Sequence, residues 1–379
     1  MAGGHKPRSG SLAFYPRVRA KRHFAAFTTY PTIKAETAKP MNFFGYKAGM
    51  VQVFGKNAHQ KSITFGQETA IPATIIECPP IKIIGARVYG KAAYGIRALG
   101  EATVEKPSKN LRRKISAFKK MGNKKKEKKY STFEELQKLR AKALKVVLLA
   151  EGQPEETGMG KKKPDLTEIN LTGNVDQQFA FAKEKFGKDL KAEEVFKATD
   201  FVDVKAVDKG KGYQGPVKRF GIKIQRPKAK HHRVVGAISP WHPPLVMWTV
   251  PRAGQMGYQT RTELNKRILG VESNSKPIAP AGGFSNYGVV KNDYIVLAGS
   301  VPGAVKRPVS MRFPVRKIKD THAKYTDLVF PFATETNEKE TKKEETKHAK
   351  AEKKEEAKHS EKKAEKNVKE ESHSKGESK

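Results

Sequence analysis

The chain has 379 residues, with 76 Lys and Arg against 39 Asp and Glu, a net charge of +37 and a pI near 10.0. Self-repulsion at that charge opposes a free compact state and favours a polyanionic partner; with no basic amphipathic helix or lipidation signal, nucleic acid is preferred to a membrane. A single Cys78 excludes a disulfide framework and a multi-Cys zinc site, the longest apolar runs (Val146–Ala150, Leu245–Val250) are too short for a bilayer, and Met1–Lys6 lacks a signal-peptide core, so a soluble intracellular protein is expected.

Hydrophobic residues make up 37%, so part of the chain is expected outside any core. The length allows about two or three domains. Residues 1–40 read as an extended basic arm in which Arg8, Arg17, Arg19, Lys21 and Arg22 precede the first acid, Glu36. Such arms neutralise phosphates rather than build a core. Residues 41–105 form a first β-rich part. Its short β-branched runs are Met50–Phe54, Ala73–Glu77 and Ile81–Tyr89, the latter two separated by Cys78-Pro79-Pro80, with Ala92–Leu99 as a further strand.

Residues 106–199 read as an α+β insertion between two β-rich halves. Lys106–Lys129 holds twelve Lys and Arg against the single acid Glu127, and a helix is predicted from Ser108 to Lys120. Ser131-Thr132-Phe133-Glu134 has capping-box spacing, starting a helix with Leu136, Leu139 and Ala143 on one face. Leu144–Leu149 reads as a buried strand and Glu168–Leu171 as a short one. Asn174, with Gln177 three places on, caps a helix carrying Val175, Phe179, Ala182 and Phe186, which Gly187 ends.

Residues 200–335 form the second β-rich part. Strands are predicted at Phe201–Val207 and Val309–Val315, with a hairpin of Gly288–Val290 and Asp293–Ala298 around Lys291-Asn292. The tail, 336–379, holds fourteen Lys and twelve Glu from Asn337 on, so it supplies only +2 of the charge and leaves +35 to the rest. It is expected to be a disordered or transiently helical appendage. The fold class is therefore mainly β with an α+β insertion.

Between the strands of the second half lies a central extension, 209–262, that runs 54 residues without Asp or Glu. It carries eleven Lys or Arg, His231, His232, His242 and both Trp of the protein. Recurrent Gly and Pro rule out a continuous helix. Extended basic backbone interleaved with Trp, His and Tyr suits stacking on bases and pairing with phosphates, so the segment is expected to become ordered inside folded RNA. Gly210-Lys211-Gly212-Tyr213-Gln214-Gly215 spells a glycine-rich nucleotide loop. A dinucleotide site needs a helix at the third glycine and an acid about twenty residues on, whereas Pro216 follows and no acid comes before Glu263. A kinase needs a catalytic-loop Asp and Asp-Phe-Gly, both missing. A tight turn bringing Lys209 and Lys211 to a phosphate chain fits better. The three His lack a nearby Cys or carboxylate, so phosphate or base contact is preferred to a metal. Trp248, in the run Leu245-Val246-Met247, is expected in the core. Trp241, between Pro240 and His242-Pro243-Pro244, is expected to stack on RNA from an exposed tip.

Pro240-Trp241-His242-Pro243, Thr249 to Tyr258 and Arg261 to Arg267 closely resemble the universal large-subunit ribosomal protein three family, in its archaeal and eukaryotic form. Gly10-Ser11-Leu12 with Pro16-Arg17, Phe44 to Met50, Lys209 to Gly215, Gly282-Gly283-Phe284 with Tyr287-Gly288, and Gly299 to Arg307 extend the resemblance over about 1–335. The resemblance implies a β-barrel like that of translation-factor second domains, with long extensions threading large-subunit rRNA. It further implies that the Trp241 extension approaches the peptidyl-transferase centre without doing chemistry, that the protein binds early in assembly, and that it touches neighbouring ribosomal proteins. Neither His231 nor His232 aligns with a His that some members methylate, so no modification is carried over. On this reading Arg17, Arg19, Lys21, Arg22, Lys209, Lys211, Lys218, Arg219, Lys306 and Arg307 neutralise phosphates. Trp241, Arg252, Gln255, Tyr258 and Arg261 make shaped contacts near the tip, and Lys230, His231, Arg233 and His242 meet phosphates or bases. No cofactor, metal, membrane or small-molecule substrate is expected, and the location is the cytoplasmic large ribosomal subunit. The competing reading is an extra-ribosomal DNA- or chromatin-binding protein, for which no helix-turn-helix, zinc finger or basic zipper is visible.

Overall fold

The computed structural model describes residues 10–33, 37–105, 107–115, 132–273, 278–280, 282–316 and 325–330. In chain order the first strands are β1 (Asn42–Asn57), β2 (Glu68–Glu77), β3 (Ile81–Ala92) and β4 (Gly95–Thr103). Helices α1 (Lys109–Lys114) and α2 (Phe133–Lys138) lead to β5 (Ala143–Gly152), β6 (Leu166–Asn170), α3 (Val175–Lys185) and β7 (Asp189–Leu190). Then come β8 (Phe201–Val207), β9 (Tyr213–Gln214), α4 (Pro216–Phe220), β10 (Gly254–Gln255) and β11 (Thr260–Glu272). The last strands are β12 (Tyr294–Ala298), β13 (Pro308–Arg312) and β14 (Tyr325–Val329). The chain is mainly β, as its β-branched runs predict.

Six strands pair in a ring. β1 pairs with β2, β2 with β12, β12 with β11, β11 with β8 and β8 with β13, which returns to the first half of β1. Every pairing is antiparallel. The far half of β1 leaves the ring with β2 and picks up β14. Burial records the change: Asn42 to Ala48 are buried without a break, then the pattern alternates. Continuous burial marks a strand covered on both faces, and alternation marks one wet face.

A second sheet has the order β4-β3-β5-β6, with β7 also on β3. The sequence assigns 41–105 to the first β-rich part, but β3 pairs with β4 and β5, and neither β3 nor β4 pairs with β1 or β2. Sheet membership changes at Pro79-Pro80. Proline has no N–H for the ladder, so the chain leaves one sheet there and enters the other. The sequence shows the break but not which strands pair across it. α3 covers the second sheet, and Gln178 on it accepts from the Val146 N–H at 2.8 Å. Its ends match the expected signals, with the Asn174 N–H on Gln177 Oε1 at 3.0 Å and Gly187 at φ 75°. One hydrophobic core joins both sheets, from Phe43, Tyr46, Ile75 and Ile295 to Val88, Leu148 and Phe179.

Three further expectations differ. Ala92 ends β3, Ala93 and Tyr94 turn the chain, and β4 starts only at Gly95. The expected hairpin around Lys291-Asn292 is absent, since Gly288 to Val290 are not a strand. Both backbone N–H groups of that dipeptide donate to Glu77 Oε1 instead, at 2.9 and 3.0 Å, as does Asn292 Nδ2 at 2.8 Å. The Tyr287 hydroxyl donates to the other oxygen. Four donors thus satisfy a fully buried carboxylate, and the turn is fixed from a strand far away in sequence. The helix after Phe133 starts from Thr132, which makes no side-chain cap bond, is shorter than expected, and yields to β5 at Ala143. Helix α1 ends at Lys114, with Ile115 extended, short of the expected Lys120; residues 116–131 and the tail from 336 lie outside the described residues.

The arm differs most. Ala25 and Phe27 are buried, Ser310 Oγ donates to the Ala25 carbonyl at 2.7 Å, and Lys205 Nζ to that of Ala26 at 2.9 Å. Arg312 lies 4.4 Å from the Phe27 ring and donates to the Thr29 carbonyl. Its guanidinium also meets buried Asp203 at 3.0 Å. Residues 24–29 therefore dock on β8 and β13, where burying one Phe contributes about 1.5–3 kcal/mol.

Candidate nucleic-acid interface

β8 and β11 are neighbours in the ring, with Val207 opposite Thr260. The extension is thus an enlarged hairpin loop from Asp208 to Gln259. Its root is a short ladder: Asp208 N–H to the Gln259 carbonyl at 2.9 Å, Lys211 N–H to Met256 at 2.9 Å, and Met256 N–H to Gly212 at 2.8 Å. β9 and β10 pair above it. The glycine-rich stretch is part of this root. It leads into α4, five residues with Pro216 at its start and Gly221 in the left-handed region at its end. So short a helix gives no dinucleotide architecture.

The first part of the arm lies against the root. Ala20 N–H donates to the Tyr258 carbonyl at 2.8 Å and Arg17 Nη1 to that of Arg219 at 2.9 Å. Arg17 sits 4.3 Å from the Phe220 ring, and Tyr15 stacks on the same ring. Arg219 donates to the carbonyls of Gln255 at 3.0 Å and Arg252 at 2.9 Å. Arg307 covers Tyr258 at 5.3 Å, whose hydroxyl is 3.1 Å from His23 Nδ1.

The candidate residues therefore divide in two. Arg17, Arg219, Gln255, Tyr258, Arg261 and Arg307 are half-buried and build the root. Arg19, Lys21, Arg22, Lys209, Lys211, Lys218, Lys230, His231, Arg233, Trp241, His242, Arg252 and Lys306 are exposed. Tyr258, Gln255 and Arg261 thus sit at the root, not beside Trp241 at the tip. From Ile222 to Ala253 the described chain has neither helix nor strand. Few backbone bonds hold it, among them Gln225 N–H to the His232 carbonyl at 3.1 Å and Val250 N–H to that of Met247 at 3.2 Å. Peptide groups left this open must be satisfied by water or a partner. Trp241 is 88% exposed, as expected for a tip. Trp248 is 63% exposed and touches Tyr15 edge-on, which corrects its expected place in the core. Its apolar neighbours Leu245, Val246 and Met247 are exposed too, so the run has no core to join.

Like charges crowd the root. Burial, then Arg219 and Arg261, lower the Arg17 pKa. Burial and Lys209 lower that of Lys47, and burial with Arg307 and Lys161 lowers that of His23, against the pull of Asp165. Among the described residues, Arg261 with Asp208 at 3.3 Å is the one ion pair involving a candidate residue. Among the described residues, no three of His, Cys, Asp and Glu gather as metal ligands. The sequence reading missed Gln259, His23 and the aromatic pair Tyr15 and Phe220. Their signal is weak, because only the docking of the arm on the root brings them together.

An antiparallel β scaffold carrying one long loop, rich in cations and Trp and unmatched by acids, defines a class: scaffolds that present a surface to a polyanion. The chain belongs to the Ribosomal protein L3 family, whose model matches residues 3–338. It is 43% identical over 320 residues to the large ribosomal subunit protein uL3 of Methanococcus aeolicus, covering 83% of this chain and 93% of that protein. The uL3 of Methanothrix harundinacea is 42% identical over 335 residues, covering 87% and 97%. That of Archaeoglobus fulgidus is 39% identical over 338 residues, covering 87% and 98%.

Proposed function

We infer that this protein is a structural constituent of the large ribosomal subunit that binds large-subunit rRNA and supports subunit assembly and translation. It performs no catalysis, and its place is the cytoplasmic ribosome, among neighbouring large-subunit proteins. The paired ring of strands is the translation-factor-like barrel, and the unit from β3 to β7 is its α+β insertion. The exposed cations of arm and extension run along rRNA phosphates, while Trp241 is carried toward the peptidyl-transferase centre. One observation carries this reading: among the described residues, no cation from Lys209 to Ala253 forms an ion pair with an acid of the chain. A stretch so unmatched is stabilised by an external polyanion.

Two measurements test it. The protein should sediment with large subunits through a moderate-salt wash; release from subunits with retention on DNA would favour the chromatin reading. Its affinity for large-subunit rRNA should fall steeply with salt, the logarithmic slope losing about 0.7–0.9 for each phosphate contact removed. Changing Lys230, Arg233 and Arg252 together to Gln should flatten the slope by about 2–3. A slope unchanged in the triple variant would remove the extension from the interface.

A further inference from the structure

We propose that the pocket between the arm and the root of the extension is a built site for one phosphate group, supplied by the rRNA backbone. This rests on the rRNA-binding reading and specifies where one contact is made. The pocket, about 200 Å³, is lined by Arg17, Lys211, Arg219, Arg261, Asp208 and Gln259. Four cations face one carboxylate, and that carboxylate is already engaged. Its Oδ1 accepts from the Gln259 N–H at 2.7 Å and its Oδ2 meets Arg261 Nε at 3.3 Å.

The Arg17 and Arg219 guanidinium groups are held without being neutralised. Arg219 is fastened by the carbonyls of Gln255 and Arg252, and Arg17 by that of Arg219. Carbonyls fix direction but carry no net charge, so these forks are oriented for an anion before it arrives. Mutual repulsion is visible in Arg17, whose pKa falls through burial and then through Arg219 and Arg261.

Gln259 supplies the independent sign of a ligand. It is 9% exposed, and its Oε1 accepts from Arg261 Nη2 at 3.1 Å. Its Nε2 is buried and has no acceptor. A buried amide donor is rarely left alone in a folded protein, and an unmatched one calls for an absent partner. An oxyanion removes both defects together, since it accepts from Nε2 and offsets the like charges. The donors come from four places: the arm, the turn at Lys211, α4, and the approach to β11. Convergence from several directions suits a tetrahedral group better than a planar carboxylate. Occupancy would also latch the arm to the extension, because Arg17 and Arg261 would share one ligand.

The decisive variant is Gln259→Glu in the full chain. It keeps an oxygen for Arg261, removes the donor and adds a negative charge that repels phosphate. The free variant should melt at or above the wild-type temperature. Its affinity for large-subunit rRNA should fall about tenfold to a hundredfold, with a logarithmic salt slope shallower by about one. Phosphorothioate interference mapping on the same rRNA should show one backbone position that matters to the wild type and no longer to the variant. Wild-type affinity, slope and interference in Gln259→Glu would overturn the site. If that variant melts early, Lys211→Gln decides, and an undiminished slope there overturns the site equally. Inorganic phosphate, compared with chloride at equal ionic strength, separates the sources. Phosphate stabilisation that Gln259→Glu abolishes, with rRNA binding untouched, would assign the pocket to a free anion and overturn the backbone proposal. Failure of the wild type to bind rRNA at all would instead strike the broader reading.

Discussion

The second sheet and the extension are both rich in Lys and Arg, yet one folds on itself and the other does not. In the unit built around the sheet several cations meet acids: Arg87 lies between Glu101 and Glu168, Arg140 beside Asp176, Lys161 beside Asp165, and Lys185 beside Glu194. Its strands also share the core with the ring. The stretch after Gly221 has neither acids nor core, and its side chains are nearly all exposed. Exposed ion pairs contribute little individually, so they do not hold the sheet together. What they do is cancel repulsion, letting apolar burial set the fold. Where cancellation is missing, an outside polyanion has to supply it.

The contrast breaks most sharply at Asp203, which couples the arm to the ring. This carboxylate is fully buried and receives Arg312, the Asn265 N–H at 3.0 Å and the Val315 N–H at 3.2 Å. Asp203→Ala should cost about 3–5 kcal/mol, because it strands a buried guanidinium. Urea denaturation of the free protein checks this. A loss below about 1 kcal/mol would mean that the Thr29 carbonyl and the Phe27 ring suffice to hold Arg312.

Much of this architecture is legible in the residues. β-branched runs give most strands, Asn174 and Gly187 give the ends of α3, and the acid-free run marks the extension. Pairing partners are not legible: Ile81 to Ala92 look alike whether they lie in the ring or beside β5. The buried role of Glu77 is equally hidden, since its donors come from residues 287–292. Of the candidate contacts, charge alone picked out Arg19, Lys21 and Lys211. It could not separate them from Arg17 and Arg219, whose partners are carbonyls contributed by tertiary contact. Trp248 misled because a local apolar run reads as core unless one knows that nothing packs over it.

A smaller effect is expected at Gly257, where the extension joins the ring. Its φ is 74°, and a Cβ there would lie 2.1 Å from the Lys209 carbonyl oxygen and 3.0 Å from the Lys211 nitrogen. Gly257→Ala should cost about 1–3 kcal/mol in strain. Hydrogen exchange should locate the damage, with protection lost at Lys211 and Met256 and kept in β2 and β12. Loss spread evenly through the ring would show that root and ring unfold as one unit.

A lesser effect comes from pH. The His23 pKa lies below its usual value, first through burial and then through Arg307 and Lys161, although Asp165 pulls the other way. A histidine that is harder to protonate when folded adds stability above the unfolded pKa of about 6.5. That contribution is lost as pH falls from there toward the folded pKa. The free protein should thus melt earlier on mild acidification, and His23→Gln should weaken the trend. Bound rRNA should reverse it, since nearby phosphates favour the charged imidazole. Identical pH profiles with and without rRNA would place His23 away from the phosphates.

The smallest effect on stability is expected at the tip. Trp241 has most of its side chain in water, with His242 as its one ring contact among the described residues. Trp241→Ala should leave the melting of the free protein within about 0.5 kcal/mol of wild type. Translation by subunits carrying the variant should nonetheless be perturbed, because the indole's apolar faces are available only to a partner. A marked loss of stability in the free protein would mean that Trp241 already packs against its own chain. Unchanged stability with unchanged translation would leave the tip without a role and return the extension to a purely electrostatic one. The two readouts together separate stacking from charge, since this substitution removes an aromatic surface and no cation.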